Sequence, residues 1–117
     1  ETTAFGEEFY LNFSKTERLE EDISIKFTAV IGDSRCPRNV ECFSAGEVTL
    51  FFDFYKSEKF VESFSLTYGE NQNDPERPRK KEIQGYLIEM IEVNPYPQST
   101  TPMGQELYEA VLKVSKP

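Results

Sequence analysis

The segment Ile23-Ser24-Ile25-Lys26-Phe27-Thr28-Ala29-Val30-Ile31 decides the fold class. Ile23, Ile25, Phe27, Ala29 and Ile31 alternate with Ser24, Lys26, Thr28 and Val30, and a two-residue step places the first set on one face of a half-buried β-strand. Working outward, Val48, Leu50, Phe52 and Phe54 repeat the step, with Thr49, Phe51, Asp53 and Tyr55 on the other side. Lys56-Ser57-Glu58-Lys59 is a polar break short enough for a hairpin, and Phe60, Glu62, Phe64, Leu66 and Tyr68 form the return, so these two strands are expected to pair. Tyr86, Ile88 and Met90 alternate and then slip to Val93, which predicts a bulge near Ile91 and Glu92. Tyr108, Ala110, Leu112 and Val114 close the chain, residues 8–13 read as a weaker first strand, and residues 17–22 as a helical turn. No segment holds a 3.6-residue apolar period over three turns. The class is all-β, and six to seven strands separated by polar turns fit a two-layer antiparallel β-sandwich, immunoglobulin-like in its size and strand spacing.

At 117 residues the chain is expected to form a single domain, 1–117, with residues 1–7 as a leader. Ten Phe and six Tyr supply apolar mass, and Phe27, Phe52, Phe54, Phe60 and Phe64 fall on the faces expected of a core. The net charge of -8 repels phosphate backbones and argues against a nucleic-acid partner. The chain has no histidine, which removes Ser-His-Asp and Cys-His catalysis and histidine-ligated zinc. Carboxylate pairs are too common here to mark a glycosidase, and no Asp-x-Asp-x-Asp-Gly loop is present, so neither enzyme activity nor a metal or other cofactor is expected. Were calcium to bind, Glu20-Glu21-Asp22 would be the first place to look.

Cys36 and Cys42 are the only cysteines and bracket Pro37-Arg38-Asn39-Val40-Glu41. Two thiolates without histidine do not complete a zinc site, and the spacing is not that of a Cys-x-x-Cys redox enzyme, so a structural disulfide is the favoured reading and two free thiols in a cytosolic loop the alternative. Closing a loop of this length stabilises a fold by about 2.4 kcal/mol in the chain-entropy model, which is useful only outside the reducing cytosol. An extracytoplasmic location, in the cell envelope, periplasm or medium, follows as the expectation. If every strand runs the length of a sandwich, loops alternate between its ends. Counting them puts loops 32–46 and 69–82 at one end with both termini, and loops 14–22, 56–59 and 94–106 at the other.

Around the cysteines runs Asp33-Ser34-Arg35-Cys36-Pro37 through Cys42 to Ala45-Gly46. Physically this reads as architecture. Asp33 and Ser34 accept hydrogen bonds from turn amides, Arg35 has the fork to tie loop carbonyls or a carboxylate such as Asp33 or Glu41, and Gly46 permits a left-handed backbone or a close approach. The same stretch resembles the Asp-Ser-Arg-Cys-Pro…Cys…Ala-Gly signature of a family of small uncharacterised exported bacterial proteins, many of them lipoproteins. Tyr86-x-Ile88-x-Met90-x-x-Val93-x-Pro95-Tyr96-Pro97 is a second match, so the resemblance spans roughly residues 20–115. It implies an exported β-sandwich-like domain, with an N-terminal lipid tether among the possibilities, and brings no activity or ligand to carry over. Ser44 departs from the pattern, which often has Trp there.

Three surfaces are candidates for binding. Pro37-Arg38-Asn39 in its covalent loop has the chemistry of a bait for a trypsin-like protease, making an inhibitor centred on Arg38 one alternative. Phe51 and Tyr55 share one strand face, and with Tyr96 they would form a sugar-stacking row if exposed together, making a carbohydrate-binding module another. Asn94-Pro95-Tyr96-Pro97-Gln98-Ser99-Thr100-Thr101-Pro102-Met103-Gly104-Gln105 carries no charge, and Tyr96 is either an interface anchor or a lid over the sandwich end. The basic run at Arg77, Arg79, Lys80 and Lys81 reads as a solvated hairpin tip. The overall expectation is a monomeric binding or structural module that meets a protein or glycan at the cell surface.

Overall fold

The computed structural model describes residues 2–38, 40–42, 46–69, 78–98 and 103–116. The expectations that fall on Asn39, Ser44 and Arg77 lie outside the described residues. Eight strands follow in order: β1 (Glu8–Asn12), β2 (Thr16–Arg18), β3 (Ile23–Asp33), β4 (Glu47–Lys56), β5 (Lys59–Gly69), β6 (Lys80–Ile83), β7 (Tyr86–Asn94) and β8 (Glu109–Ser115). They form two four-stranded antiparallel sheets, ordered β1-β8-β7-β6 and β2-β3-β4-β5. The protein is therefore an all-β, two-layer antiparallel sandwich. Its strand order is that of a meander closed by β1 beside β8, without the Greek-key exchange between sheets that defines immunoglobulin order. Among the described residues no helix is long and apolar enough to cross a membrane.

The alternating residues meet between the sheets. Ile23, Ile25, Phe27, Leu50, Phe52, Phe54 and Leu66 from one layer and Leu11, Ile88, Met90, Leu112 and Val114 from the other are buried in a single core. The β4–β5 hairpin pairs as expected, and Ile91 bulges out of the β7–β8 ladder between Met90 and Glu92. Two other bulges overturn parts of the alternation. In β3 the register slips between Phe27 and Ala29 and again between Val30 and Gly32, so Val30 packs towards the core while Ile31, expected inside, is exposed. In the β4–β5 ladder, Tyr55 faces Phe60 while Phe54 faces Glu62, which leaves Val61 bulged and turns Phe60 out to 57 % exposure. An extra residue reverses the facing of everything beyond it.

The count of six to seven strands misses the short β2 and β6, and each omission inverts the parity of the loops beyond it. Tyr86, at the start of β7, donates to Glu21 (2.7 Å), and Lys116 reaches the same carboxylate (3.1 Å). Lys56 Nζ bonds both the Glu21 carbonyl (2.8 Å) and the Tyr86 hydroxyl (3.2 Å). The 19–22 turn, the 57–58 turn and the C-terminal end of β8 thus share one end of the sandwich. The N-terminal segment joins them: Thr3 N–H donates to the Arg18 carbonyl (3.0 Å), Gly6 N–H to Val114 (2.8 Å), and the Phe5 ring lies 5.6 Å from Tyr86. Residues 3–6, expected as a leader, are tied into the sandwich. The disulfide loop and the 95–108 connection lie together at the opposite end, contrary to the parity expectation, which put the disulfide loop with the termini and the 94–106 loop away from it.

Candidate functional site

Cys36 and Cys42 form a disulfide with their Cα atoms 5.9 Å apart, closing the loop that leaves β3. Arg35 joins this loop to the fold. Its side chain is 5 % exposed and forks onto Asp33, Nε to Oδ1 and Nη2 to Oδ2, both at 2.9 Å. Nη1 donates to the Val93 carbonyl (2.9 Å) and Nη2 also to that of Pro95 (3.1 Å). Tyr108 completes the cluster by donating to Asp33 Oδ2 (2.7 Å). The anticipated pairing of Arg35 with Asp33 is present, and the fork shape explains why an arginine stands there: a lysine has no planar donor set to span one carboxylate and two carbonyls.

Burial alone would raise the Asp33 carboxyl, but the hydrogen bonds from Arg35 and Tyr108 outweigh it and hold the group below its ordinary 3.8. Burial and the neighbouring Asp33 carboxylate push the Tyr108 hydroxyl up to about 12. Ser34 and Gly46 close the base of the loop. Ser34 N–H donates to the Glu47 carbonyl (2.7 Å), Glu47 N–H donates to Ser34 Oγ (3.1 Å), and Gly46 sits at φ +73° with its Cα against the Ser34 carbonyl.

Tyr96 lies on this base, and it is neither free nor buried. It is 37 % exposed, and its hydroxyl donates to the Cys36 carbonyl (2.6 Å). The guanidinium carbons of Arg38 and Arg35 stand 4.9 and 5.5 Å from its ring centroid. Arg38 N–H donates to the Pro97 carbonyl (3.1 Å), so the two loops are stitched by backbone as well as side chain. Arg38 is exposed, and no acid among the described residues pairs with it. We refer to this assembly of residues 33–38, 40–42 and 93–97 as the cap.

The candidates are thus divided. Arg38 and Tyr96 come together in the cap, whereas Phe51 and Tyr55 lie half-exposed on the outer face of β4, so the row of Phe51, Tyr55 and Tyr96 is not formed. Tyr55 instead meets Phe60 edge-on at 6.0 Å. In the basic run, Arg79 stands 5.3 Å from the Tyr68 ring and Lys81 pairs with Glu62 across the layers at 3.9 Å. Lys80 and Lys81 open β6 instead of forming a hairpin tip. The Glu21 carboxylate is occupied by Tyr86 and Lys116, whose hydrogen bonds lower its pKa. Among the described residues no three metal-ligating side chains are grouped. Sequence reasoning missed Tyr108, Ile31 and Leu107; Leu107 directly beside Tyr108 was the available signal, because adjacent apolar residues in a strand region cannot both face the core. Comparison with protein-family models, curated proteins and solved structures finds no match to this chain.

Proposed function

We propose that this protein is an extracytoplasmic binding module that engages a protein partner through its disulfide-braced cap. The observation that carries the reading is the distribution of exposed apolar side chains. Of the six large exposed hydrophobic residues described, four stand at the cap end: Ile31, Val40, Tyr96 and Leu107. Exposed apolar groups, one of them aromatic, at the same end as an exposed arginine with no acidic partner among the described residues have the composition of a protein-binding hot spot. A covalent brace holds that surface in one shape and so lowers the entropy cost of binding. The disulfide, and the resemblance of the sequence around it to an exported family, support a place outside the cytosol, in the envelope or secreted. Residues 3–6 and Lys116 lie at the other end, so a lipid tether at either chain end would leave the cap outward.

The cap geometry supports this reading over the protease inhibitor. Val40 N–H bonds back to the Pro37 carbonyl (3.2 Å), bending the backbone at Arg38 into a turn. A protease cleft takes its bait extended, and Arg38 would also have to leave the Tyr96 ring. Separated aromatics likewise leave the glycan reading without its platform. The test is site-specific photo-crosslinking on intact cells, with the probe at position 40 in the cap or at position 60 at the opposite end. The proposal expects a discrete adduct from position 40, abolished by Arg38→Glu with Tyr96→Ala. Equal or stronger adducts from position 60 refute it.

A further inference from the structure

Beside the cap, β3 loses its neighbour. β2 pairs with Ser24, Ile25 and Lys26, and the preceding turn extends the pairing to Phe27 through Ser14 N–H to Phe27 O (2.9 Å) and Phe27 N–H to Lys15 O (3.1 Å). From there to Asp33, β3 has β4 on one side and, among the described residues, no strand on the other. An open strand edge is a template for another strand. One edge amide is already engaged: Val30 N–H donates to the side-chain carbonyl Oε1 of Gln105 (2.8 Å), from a segment 75 positions along the chain. That oxygen sits where the backbone carbonyl of a pairing strand would sit. Ile31, next to Val30, is 62 % exposed, and Leu107, two residues beyond Gln105, is 57 % exposed.

We infer that the open edge of β3 from Thr28 to Asp33, beside the cap, accepts a short, extended, basic segment of the partner polypeptide, which displaces the Gln105 side chain and adds a strand. The inference rests on the binding role proposed above and specifies the form of the partner. Main-chain bonds to β3 would give the segment its register, and alternate side chains would cover Ile31 and Leu107. The bulges at Thr28 and Ile31 shorten the usable edge and disfavour a long regular pairing. Charge selects the occupant. Glu106, between Gln105 and Leu107, is exposed and has no cationic partner among the described residues, and the chain carries -8 overall. A second copy would bring like charge to like, whereas a basic segment is attracted.

The probe is a soluble synthetic peptide of alternating lysine and valine, titrated into isotopically labelled protein and followed by amide NMR shifts. Expected are shifts confined to residues 28–33 and 103–107, including the Gln105 side-chain amide. A several-fold tighter fit to the exposed-site variant Gln105→Ala is also expected, because the competing carbonyl is gone. A glutamate–valine peptide should bind at least about tenfold more weakly, and a backbone N-methylated lysine–valine peptide should not bind. The Phe60→Ser protein, altered at the opposite end, should titrate like the parent, and because the titration uses a peptide and no natural partner, its failure is separable from failure of the crosslink at position 40. Shifts elsewhere, no binding by either parent or Gln105→Ala, or dimerisation of Gln105→Ala in sedimentation, which would hand the edge to a second copy, each overturn the inference.

Discussion

Replacing Arg35 with alanine should be the most damaging single change at the cap that leaves the backbone unstrained. The side chains of Arg35 and Asp33 are 5 % and 14 % exposed, so the pair is largely shielded and solvent dilutes its loss only in part. The substitution removes two bonds to Asp33 and strands the Val93 and Pro95 carbonyls. Breaking a fully buried ion pair from one side costs about 3–5 kcal/mol, because the surviving charge keeps its desolvation penalty without its partner; Asp33 keeps some contact with solvent, so the expected loss is about 2–3 kcal/mol. Against a total of ~5–15 kcal/mol for a domain, that is a large share. Asp33 would keep Tyr108 and the backbone N–H of residue 35, so its carboxyl should rise as burial is less fully opposed. Arg35→Lys should recover little, because one ammonium cannot replace the fork. Urea unfolding of the oxidised protein at pH 7 reads the cost, with an unchanged slope certifying the same unfolded state. A loss below about 1 kcal/mol for Arg35→Ala, or full recovery by lysine, would show that water satisfies these groups and that Arg35 does not hold the cap together.

Two more outcomes follow from the same geometry. Gly46→Ala should fold poorly or not at all, since a Cβ there would lie 1.9 Å from the Ser34 carbonyl oxygen at φ +73°, and thermal melts should separate it sharply from the open-site control Gly32→Ala. The Asp33–Tyr108 contact should narrow the stable pH range from both sides. Tyr108 is raised to about 12, so its contribution is complete below about 10 and is lost as pH climbs towards 12. Asp33 is lowered, so its contribution is complete above about 3.8 and is lost as pH falls further. Tyr108→Phe should remove the alkaline loss attributable to this site. An unchanged alkaline arm in that variant means other groups govern it.

Much of the fold was legible because buried strands advertise a two-residue period, and the long β3, β4, β5, β7 and β8 all carry it. Thr16-Glu17-Arg18 and Lys80-Lys81-Glu82-Ile83 do not, because short edge strands bury almost nothing and leave no apolar alternation to read. Bulges were legible only where the sequence itself slips phase, as at Ile91. The β3 run alternates from Ile23 to Thr28 and is then apolar at three successive positions, Ala29, Val30 and Ile31, which does not say which of them faces inward; its register slips twice there, since pairing with β4 and the needs of the core set the backbone. Of the cap, Asp33, Ser34, Arg35 and Gly46 could be assigned from local turn chemistry. The partners of Arg35 at Val93 and Pro95, and of Asp33 at Tyr108, lie 58, 60 and 75 positions away, beyond any local pattern.

The two ends of the sandwich are built to different standards, and this bears on where recognition belongs. At the end holding residues 3–6 and Lys116, each connection is a tight turn with paired left-handed residues: Glu21 and Asp22, Ser57 and Glu58, Gln84 and Gly85. The turns at 57–58 and 84–85 are two-residue hairpins, which match the strand twist and leave no chain to spare, and the 19–22 turn is scarcely longer. Five of those six residues are not glycine, and non-glycine residues adopt positive φ uncommonly, so tightness there is held against local preference. At the other end the chain is generous. The connections leaving β3 and β7 at that end are long in sequence, with residues 34–38, 40–42, 46, 95–98 and 103–108 described, and β5 ends there at Gly69. Long loops cost conformational entropy that a purely structural closure avoids, as the opposite end demonstrates with the same sheets. Here part of that cost is offset by a disulfide, a largely shielded Arg–Asp pair and the Tyr96–Arg38 contact, and Val40 and Leu107 remain exposed. Braces of this kind on connections that leave apolar side chains at the surface fit a recognition surface, whereas the tight end fits closure alone.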